Sequence, residues 1–223
     1  MGVNNSWSVF TPDLWVCVDP PRKFMSSGWM NPRITKFVPD RISRNKIRRQ
    51  LDEGTFIDLP IEAWEAPNTL TFKRNSSFNH ETFLVEPTIN WGQTGKKKDS
   101  LGIGGSRSVM FAAIKILFIL GFRDIYLLGC DFKMTEKNKY AFEENRGKGA
   151  IRGNNRSYDI MIKRFAAMEE HFSDHGLNVY NCNKKSALEV FPYRNIKEVL
   201  KYQENNNPPD LDTTGWYEET PKK

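Results

Sequence analysis

Short, mainly apolar runs recur along the first part of the chain. Leu14 to Val18 is apolar throughout and stops at Asp19-Pro20-Pro21, which predicts a buried strand. The strands predicted from such runs cover residues 14–18, 34–38, 69–72 and 82–85. Between the second and third of them, the basic stretch Ser43 to Leu51 predicts a short helix.

The middle of the chain has the clearest pattern. A loop of glycine and serine, Gly102 to Ser108, precedes a helix over 109–120 that is apolar on nearly all sides and closes at Gly121. A strand over 125–129 follows and ends at Cys130-Asp131. A loop, a buried helix and a parallel strand in this order are typical of a doubly wound α/β fold.

A polar segment, Lys133 to Asn154, comes next, and it is long enough to predict a functional or mobile segment. Asn155 or Ser157 is then expected to cap a helix that ends near His175, followed by a strand over 177–180 and a helix over 196–202. We therefore expect one Rossmann-like α/β domain over 1–202. Its single, mostly parallel sheet would carry helices on both faces, and a flexible polar tail would span 203–223.

The size and cysteine content of the chain favour an ordinary cytoplasmic protein. A chain of 223 residues buries a large core without needing disulfide bonds or structural metal ions. Cys17, Cys130 and Cys182 lack the spacing of zinc ligands, so we expect buried thiols in a reducing compartment. The start of the chain has no signal-peptide pattern. The longest apolar run contains Lys115 and is too short to cross a bilayer.

The net charge of +6 indicates an anionic partner or a solvated basic face. Nucleic acid, an anionic membrane surface and a phosphorylated small molecule are the candidate partners. The basic residues cluster within 41–49, 96–98 and 146–156. Nucleic acid is not favoured, because the first cluster has no interleaved aromatic side chain.

Candidate chemistry lies where loops follow strands or precede helices. Gly104, Gly105, Ser106 and Ser108 stand at a helix start, where glycine backbone and hydroxyl groups bind anions, although a plain turn explains them equally. Asp131 and Asp19 each follow a predicted strand. Such carboxylates bind sugar hydroxyls or help to hold a metal, and the alternative is a capping role.

The histidines give weaker signals. His171 and His175 are four residues apart on the predicted helix, which is metal-ligand spacing, but no third ligand accompanies them and no metal site is predicted. His80 lies in a polar loop and is a candidate base.

Two runs carry a family resemblance: Gly104 to Met110, and Leu120 to Phe132 with the sequence Leu-Gly-Phe-Arg-Asp-Ile-Tyr-Leu-Leu-Gly-Cys-Asp-Phe. They resemble bacterial family 42 sialyltransferases and the related family of motility-accessory glycosyltransferases and archaeal 6-hydroxymethylpterin pyrophosphokinase. The likeness extends to Val3-Asn4-Asn5, Val18-Asp19-Pro20, Tyr140-Ala-Phe, residues 153–160, Tyr180-Asn-Cys, Ser186 and Phe191-Pro, so it covers most of residues 1–200.

The resemblance implies roles for several residues. Asn4, Asn5 and Asp19 would line a nucleotide, and the loop from Gly104 to Ser108 would lie beside the donor sugar. Tyr140 matches one of two tyrosines that stabilise the departing phosphate. Lys133 takes the position of the other, where a point charge would replace a hydroxyl donor. Residues 133–154 would then form a lid.

Two departures from the family accompany this likeness. The catalytic histidine of the sialyltransferases falls on Asn154, which cannot act as a general base, so the base would be Asp131 or a residue that the sequence does not identify. The family's first strand and its Gly-Asn-Gly-Pro-Ser phosphate loop would precede Val3.

We therefore expect a glycosyltransferase-like enzyme that uses a nucleotide-activated sugar and an acceptor not identified by the sequence. One alternative is a pyrophosphokinase-like transferase that depends on ATP and Mg²⁺. Another is a non-catalytic nucleotide-binding or nucleic-acid-binding protein of the same fold. A homo-oligomer is compatible with each of them.

Overall fold

The computed structural model describes residues 1–93, 95–135 and 148–205. Its strands, in chain order, are β1 Gly2–Val3, β2 Leu14–Val16, β3 Thr35–Pro39, β4 Lys46–Asp52, β5 Thr55–Glu62, β6 Thr69–Phe72, β7 Asp124–Leu127 and β8 Asn178–Asn181. Its α-helices are α1 Ser26–Met30, α2 Asp40–Ser43, α3 Val109–Ile119, α4 Lys148–Ala167, α5 Glu169–Asp174 and α6 Ile196–Asn205. Short 3₁₀ helices cover Asn4–Ser8, Pro21–Lys23 and Ala63–Glu65.

The strands form a mixed α/β structure with a parallel sheet at its centre. This sheet has the order β1-β2-β3-β6, and all of its pairs are parallel. Strands β7 and β8 form a separate parallel pair, and β4 and β5 form an antiparallel hairpin. The carboxyl ends of β1, β2, β3 and β6 therefore meet along one edge of the central sheet.

The central sheet is buried on both faces because its strands alternate between two cores. Trp15 and Cys17 of the β2 region belong to a core with Trp29 and Ile47, whereas Val16 between them belongs to a larger core. The larger core also contains nearly all of α3 and the buried face of α4 and α5, including Phe165. Apolar residues on both faces of a parallel strand explain why β2 reads as a continuous apolar run.

Several predicted elements are confirmed. Strands lie within or beside the predicted ranges 14–18, 34–38, 69–72, 125–129 and 177–180, and helices lie at 109–119 and 196–205. Met161, Phe165, Met168 and Phe172 form one buried helical face, as their spacing predicted. Among the cysteines, Cys17 is buried, whereas Cys130 and Cys182 are only partly buried. Burial raises the pKa of the Cys130 thiol to about 12.

The prediction of a helix over residues 43–51 is wrong. Helix α2 ends at Ser43, and residues from Lys46 onward form β4 of a hairpin whose second strand was not predicted. Gly54 occupies the turn with φ of 84°. Cross-strand pairing and the burial of Ile47 outweigh the helical propensity of this basic stretch, because propensity is weaker than tertiary contacts.

Two further predictions are corrected. Residues 82–85 form a turn and not a strand, closed by hydrogen bonds from the amides of Val85 and Glu86 to the Thr82 carbonyl. Asn155 and Ser157 do not cap a helix, because α4 already begins at Lys148. Asn155 instead holds the preceding segment: it accepts from the Met134 amide at 2.8 Å and donates to the Met134 carbonyl at 3.0 Å.

Three predictions lie partly or wholly outside the described residues: Tyr140, most of the expected lid over 133–154, and residues 206–223 of the expected tail. The first residues assigned to that tail, 203–205, belong to α6. Within the described ranges, no helix is long and apolar enough to cross a lipid bilayer.

Candidate functional site

A cleft of about 820 Å³ opens at the carboxyl ends of three neighbouring parallel strands. It is lined by Val18, Asp19 and Pro20 after β2; Pro39, Asp40, Arg41, Ile42 and Asn45 from the end of β3 onward; Lys73 and Arg74 after β6; and Trp91 and Arg107. Ligands of open parallel sheets bind outside this edge of the sheet. The volume is within the range of about 300–1,000 Å³ found for small-molecule sites.

The cleft is lined by charges of both signs, with the cations in excess. Lys73 and Arg74 follow β6, and Arg107 joins them from the glycine loop, while Asp19 and Asp40 follow β2 and β3. Counted with Arg41, four cationic side chains line the cleft against two carboxylates. Asp19 is already paired with Lys23, whose Nζ lies 3.1 Å from Oδ1. The cleft therefore favours an anion at its β6 side.

Arg74 is the least satisfied cation in the cleft. Its Nε and Nη2 atoms are buried and have no hydrogen-bond partner among the described residues. Its guanidinium lies over the Trp91 ring, 4.2 Å from the ring centroid. Burial lowers the Arg74 pKa, and the nearby charges of Arg107 and Arg41 lower it further. Because arginine remains charged in proteins, this is a positive charge with no counter-ion among the residues that the structure describes.

Backbone pairing fixes these side chains in place. The Asn75 amide donates to the Ile89 carbonyl and the Ile89 amide donates to the Lys73 carbonyl, both at 3.0 Å, so the chain at Arg74 is held beside the segment that leads to Trp91. The Trp91 carbonyl then accepts from the Ser108 amide at 2.8 Å. Arg74 and Arg107 are therefore positioned by one continuous strip of backbone.

Gly92 permits the close approach of this strip to the glycine loop. Its φ is 109°, and a Cβ atom there would lie 2.5 Å from the Ser106 carbonyl oxygen and 3.0 Å from the Arg107 Cα. Only glycine fits both the backbone conformation and the available space.

The glycine loop contributes Arg107 to the cleft, whereas the four site residues that were predicted in this loop serve the fold. The carbonyls of Gly105 and Ser106 each accept a hydrogen bond from Arg164 at 2.9 Å. Ser108 caps α3, with its Oγ accepting from the Met110 amide at 3.2 Å, and the Ser106 hydroxyl donates to the Ser157 carbonyl at 3.4 Å. Gly104 is bridged to Lys98. None of these four residues is among those that line the cleft.

A buried ion pair between Arg164 and Asp99 holds the glycine loop in place. Arg164 Nε lies 2.8 Å from Asp99 Oδ2, and both side chains are fully buried. The other carboxylate oxygen of Asp99 accepts from the amides of Leu101 and Ile103 at 3.0 and 2.9 Å. One guanidinium thus joins the Asp99 turn and the glycine loop, and it fixes the loop from which Arg107 extends.

The residues predicted near β7 lie away from the cleft. Asp131 is exposed, and its carboxylate accepts a hydrogen bond from the Asn183 side chain. Lys133 is exposed, and the Asn154 amide lies 3.2 Å from the Met134 sulfur. These three residues are not among those that line the cleft.

Of the residues predicted near the first two strands, Asp19 lines the cleft. Asn4 follows β1 with φ of 48°, and its carbonyl accepts from Trp15 Nε1 at 2.7 Å. Its Oδ1 atom is buried and has no hydrogen-bond partner within the described chain. Asn5 lies in the same 3₁₀ helix. Both asparagines are at the carboxyl end of β1, on the sheet edge where the cleft lies.

Two of the three histidines are held by backbone contacts, and the third contacts a serine side chain. His171 Nε2 accepts from the Leu84 amide at 3.0 Å, and His175 Nδ1 lies 2.8 Å from the His171 carbonyl oxygen. His80 Nδ1 lies 2.8 Å from the Ser100 hydroxyl. In the described part of the chain, no group of three or more histidine, cysteine or acidic side chains is arranged to hold a metal ion.

Sequence reasoning missed Arg74, Trp91 and Arg107. These residues supply two of the cations in the cleft and the aromatic ring that contacts one of them. One signal was present for Arg74, because Lys73-Arg74 directly follows the predicted strand 69–72 and basic residues at strand carboxyl ends suit anions. The distance along the chain between Arg74 and Arg107 hid their proximity.

No protein-family model, curated protein or solved structure matches this chain significantly.

Proposed function

We propose that this protein is a glycosyltransferase-like enzyme that binds the phosphate groups of a nucleotide-activated sugar in the basic cleft. The observation that carries the proposal is the half-buried guanidinium of Arg74, whose Nε and Nη2 atoms are buried without a hydrogen-bond partner among the described residues and which has Arg107 and Arg41 close by. A phosphate would supply the missing counter-charge and accept several charge-assisted hydrogen bonds.

The fold is part of the proposal. A doubly wound, Rossmann-like arrangement would combine the central sheet with β7 and β8, and it is supported by the parallel direction of both groups of strands. The position of the cleft at the carboxyl ends of β2, β3 and β6 also supports it.

The cationic and acidic side chains of the cleft suit the two parts of such a donor. Arg74 and Arg107 would bind phosphate, while Asp19 and Asp40 would accept hydrogen bonds from sugar hydroxyls. An extended nucleic acid fits less well, because the two carboxylates would face its phosphates.

The reaction would replace one bond to the anomeric carbon by another. The acceptor oxygen forms a bond to that carbon as the bond from carbon to the phosphate oxygen breaks, and the departing phosphate keeps the electron pair. Arg74 and Arg107 would stabilise the negative charge that develops on the phosphate. Asp40 or Asp19 would take the proton of the acceptor hydroxyl, and Asp131 would serve instead if the acceptor reached it.

A second candidate is a transferase that uses ATP and Mg²⁺. It is supported by Asp19 and Asp40, whose carboxylates follow neighbouring strands beside the cationic wall. Carboxylates that share Mg²⁺ with substrate phosphates are typical of such enzymes. Ligand binding that requires Mg²⁺ and prefers ATP would favour this candidate over the glycosyltransferase.

Thermal unfolding of the purified chain with CMP, UDP, GDP, ADP and ATP, each with and without Mg²⁺, tests the proposal. A ligand at 100 times its Kd raises the free energy of unfolding by about 2.7 kcal/mol. We expect a cytidine, uridine or guanosine nucleotide to stabilise the chain without Mg²⁺. If none of the five nucleotides raises the unfolding temperature, the site is not a nucleotide site and the proposal is wrong.

Arg74→Met gives a sharper form of this test. Loss of a hydrogen bond to a charged group removes about 1.5–3 kcal/mol, so we expect nucleotide affinity to fall about 10- to 100-fold. The free variant should be as stable as the wild type or more stable, because the substitution removes two buried polar atoms that have no partner in the described chain. Arg107→Met, at an exposed position, should also weaken binding. Arg33→Met, before β3 at the opposite edge of the sheet, should change neither property.

A further inference from the structure

One complete edge of the Arg74 guanidinium is without a partner. Its Nε and Nη2 atoms lie on the same edge of the planar group, and both are buried with no hydrogen-bond partner among the described residues. Such an edge donates two parallel hydrogen bonds to two oxygens of one anionic group. The buried Trp91 ring lies against the flat face of the guanidinium and fixes its plane. Arg74 therefore suits one phosphate group.

Three further cations line the cleft with Arg74: Arg41, Lys73 and Arg107. They are exposed, and none of them forms an ion pair with another described residue. Burial lowers the Arg74 pKa, and the charges of Arg107 and Arg41 lower it further, so these two cations are close enough to repel Arg74. An anion that bound Arg74 alone would leave the other cations without a counter-charge.

The excess charge of the cleft matches a diphosphate. Asp19 is balanced by its ion pair with Lys23, so Asp40 is the carboxylate that counts against the four cations, and three positive charges remain. A nucleoside monophosphate carries about two negative charges at neutral pH, and a second phosphate group adds about one more. A nucleoside diphosphate therefore balances the cleft, whereas a monophosphate leaves positive charge in excess.

The supply of phosphate oxygens leads to the same ligand. When a sugar is joined to a nucleoside through a single phosphate, that phosphate has two unbridged oxygens, and the edge of Arg74 would bind both of them. A diphosphate linkage has two more unbridged oxygens on its second phosphate. These would accept hydrogen bonds from Arg107 and Arg41, which line the same cleft.

We infer that the donor is a sugar linked to a nucleoside diphosphate, with one phosphate bound by Arg74 and the other by Arg107 and Arg41. This inference rests on the function proposed above. The acceptor oxygen forms a bond to the anomeric carbon as the bond from that carbon to the terminal phosphate oxygen breaks. The nucleoside diphosphate leaves with the electron pair, and Asp40 or Asp19 takes the acceptor proton.

Isothermal titration calorimetry of the full chain without Mg²⁺ tests the inference. The ligands are the mono-, di- and triphosphates of cytidine, uridine and guanosine. For the nucleoside that binds, we expect the diphosphate to bind about 10- to 100-fold more tightly than the monophosphate, because it gains charge-assisted hydrogen bonds. The third phosphate should add no comparable factor, since the diphosphate already balances the excess charge of the cleft.

Charge-removing variants separate two phosphate positions from general attraction to a basic surface. Arg107→Met and Arg41→Met should each lower the ratio of diphosphate to monophosphate affinity about tenfold. Arg74→Met should weaken the binding of both ligands by similar factors, because its phosphate is common to them. Arg33→Met, at an exposed position before β3, is the matched control and should change neither affinity. Circular dichroism would establish that the variants fold.

The outcomes distinguish this inference from the proposed function. Equal affinities for monophosphate and diphosphate would overturn the inference and assign a donor linked through one phosphate. An equal gain for every added phosphate would also overturn it, as would a ratio that is unchanged in both Arg107→Met and Arg41→Met. In these cases the cleft would still be a nucleotide site. If no nucleotide binds, the proposed function itself is wrong, and the inference falls with it.

Discussion

Replacement of Arg164 by methionine removes the charge that joins the Asp99 turn to the glycine loop. Methionine retains much of the apolar volume, so the change isolates the loss of the guanidinium. The Asp99 carboxylate then stays fully buried without its cation, and the carbonyls of Gly105 and Ser106 lose their donors. Removal of one partner of a buried ion pair destabilises proteins by about 3–5 kcal/mol.

The assay is equilibrium unfolding in urea together with a thermal scan. For chains of 150–250 residues, 1 kcal/mol moves the unfolding temperature by about 2–4 °C, so Arg164→Met should lower it by about 6–20 °C. The exposed Arg156 lies on the same helix, and Arg156→Met is the matched control that should leave the temperature unchanged.

A double-mutant cycle tests the reason for this loss. Asp99→Asn keeps the shape of the side chain and the oxygen that accepts from Leu101 and Ile103, but it leaves the Arg164 charge unpaired. The double variant Arg164→Met with Asp99→Asn has no unpaired buried charge, so its destabilisation should be smaller than the sum of the single effects by about 0.5–3 kcal/mol. A loss below about 1 kcal/mol in Arg164→Met, or additive single effects, would refute the account of the buried pair.

Two further predictions concern the cleft and the pH response. Gly92→Ala should destabilise the chain more than Gly102→Ala and should weaken nucleotide binding. Both residues have positive φ, but only at Gly92 would a Cβ meet the Ser106 carbonyl oxygen, whereas nothing lies within 4 Å at Gly102. Equal losses of unfolding temperature would contradict this. Burial, followed by the His175 and Lys115 charges, lowers the pKa of His171 below 6.5. The unfolded state therefore binds more protons, and the free energy of unfolding should fall as pH drops below about 6.5. His171→Asn should flatten that slope in urea titrations between pH 5 and 7, and an unchanged slope would contradict the assignment.

Local sequence patterns were sufficient to predict the longer parallel strands and α3. Residues 14–18 are buried on both faces, so they read as an uninterrupted apolar run bounded by prolines, and the helix at 109–119 has its own cap and a closing glycine. The hairpin could not be read in this way. Its basic first strand resembles a helical segment until its pairing with 55–62 is known, and that pairing also places Phe56 beside Arg48, an aromatic neighbour that the linear sequence hid.

By itself, then, the sequence determined the α/β class of this protein and the order of loop, buried helix and strand over residues 104–127, because burial periodicity and turn chemistry are local properties. Only the tertiary structure decided that Ser106 and Ser108 support the fold, and that Arg74 and Arg107 share a cleft with Asp19 and Asp40. The physical reason is that charge complementarity acts between atoms that are close in space. Arg74 and Arg107, like Asp99 and Arg164, are far apart along the chain, and only the packing of the sheet and helices brings each pair together.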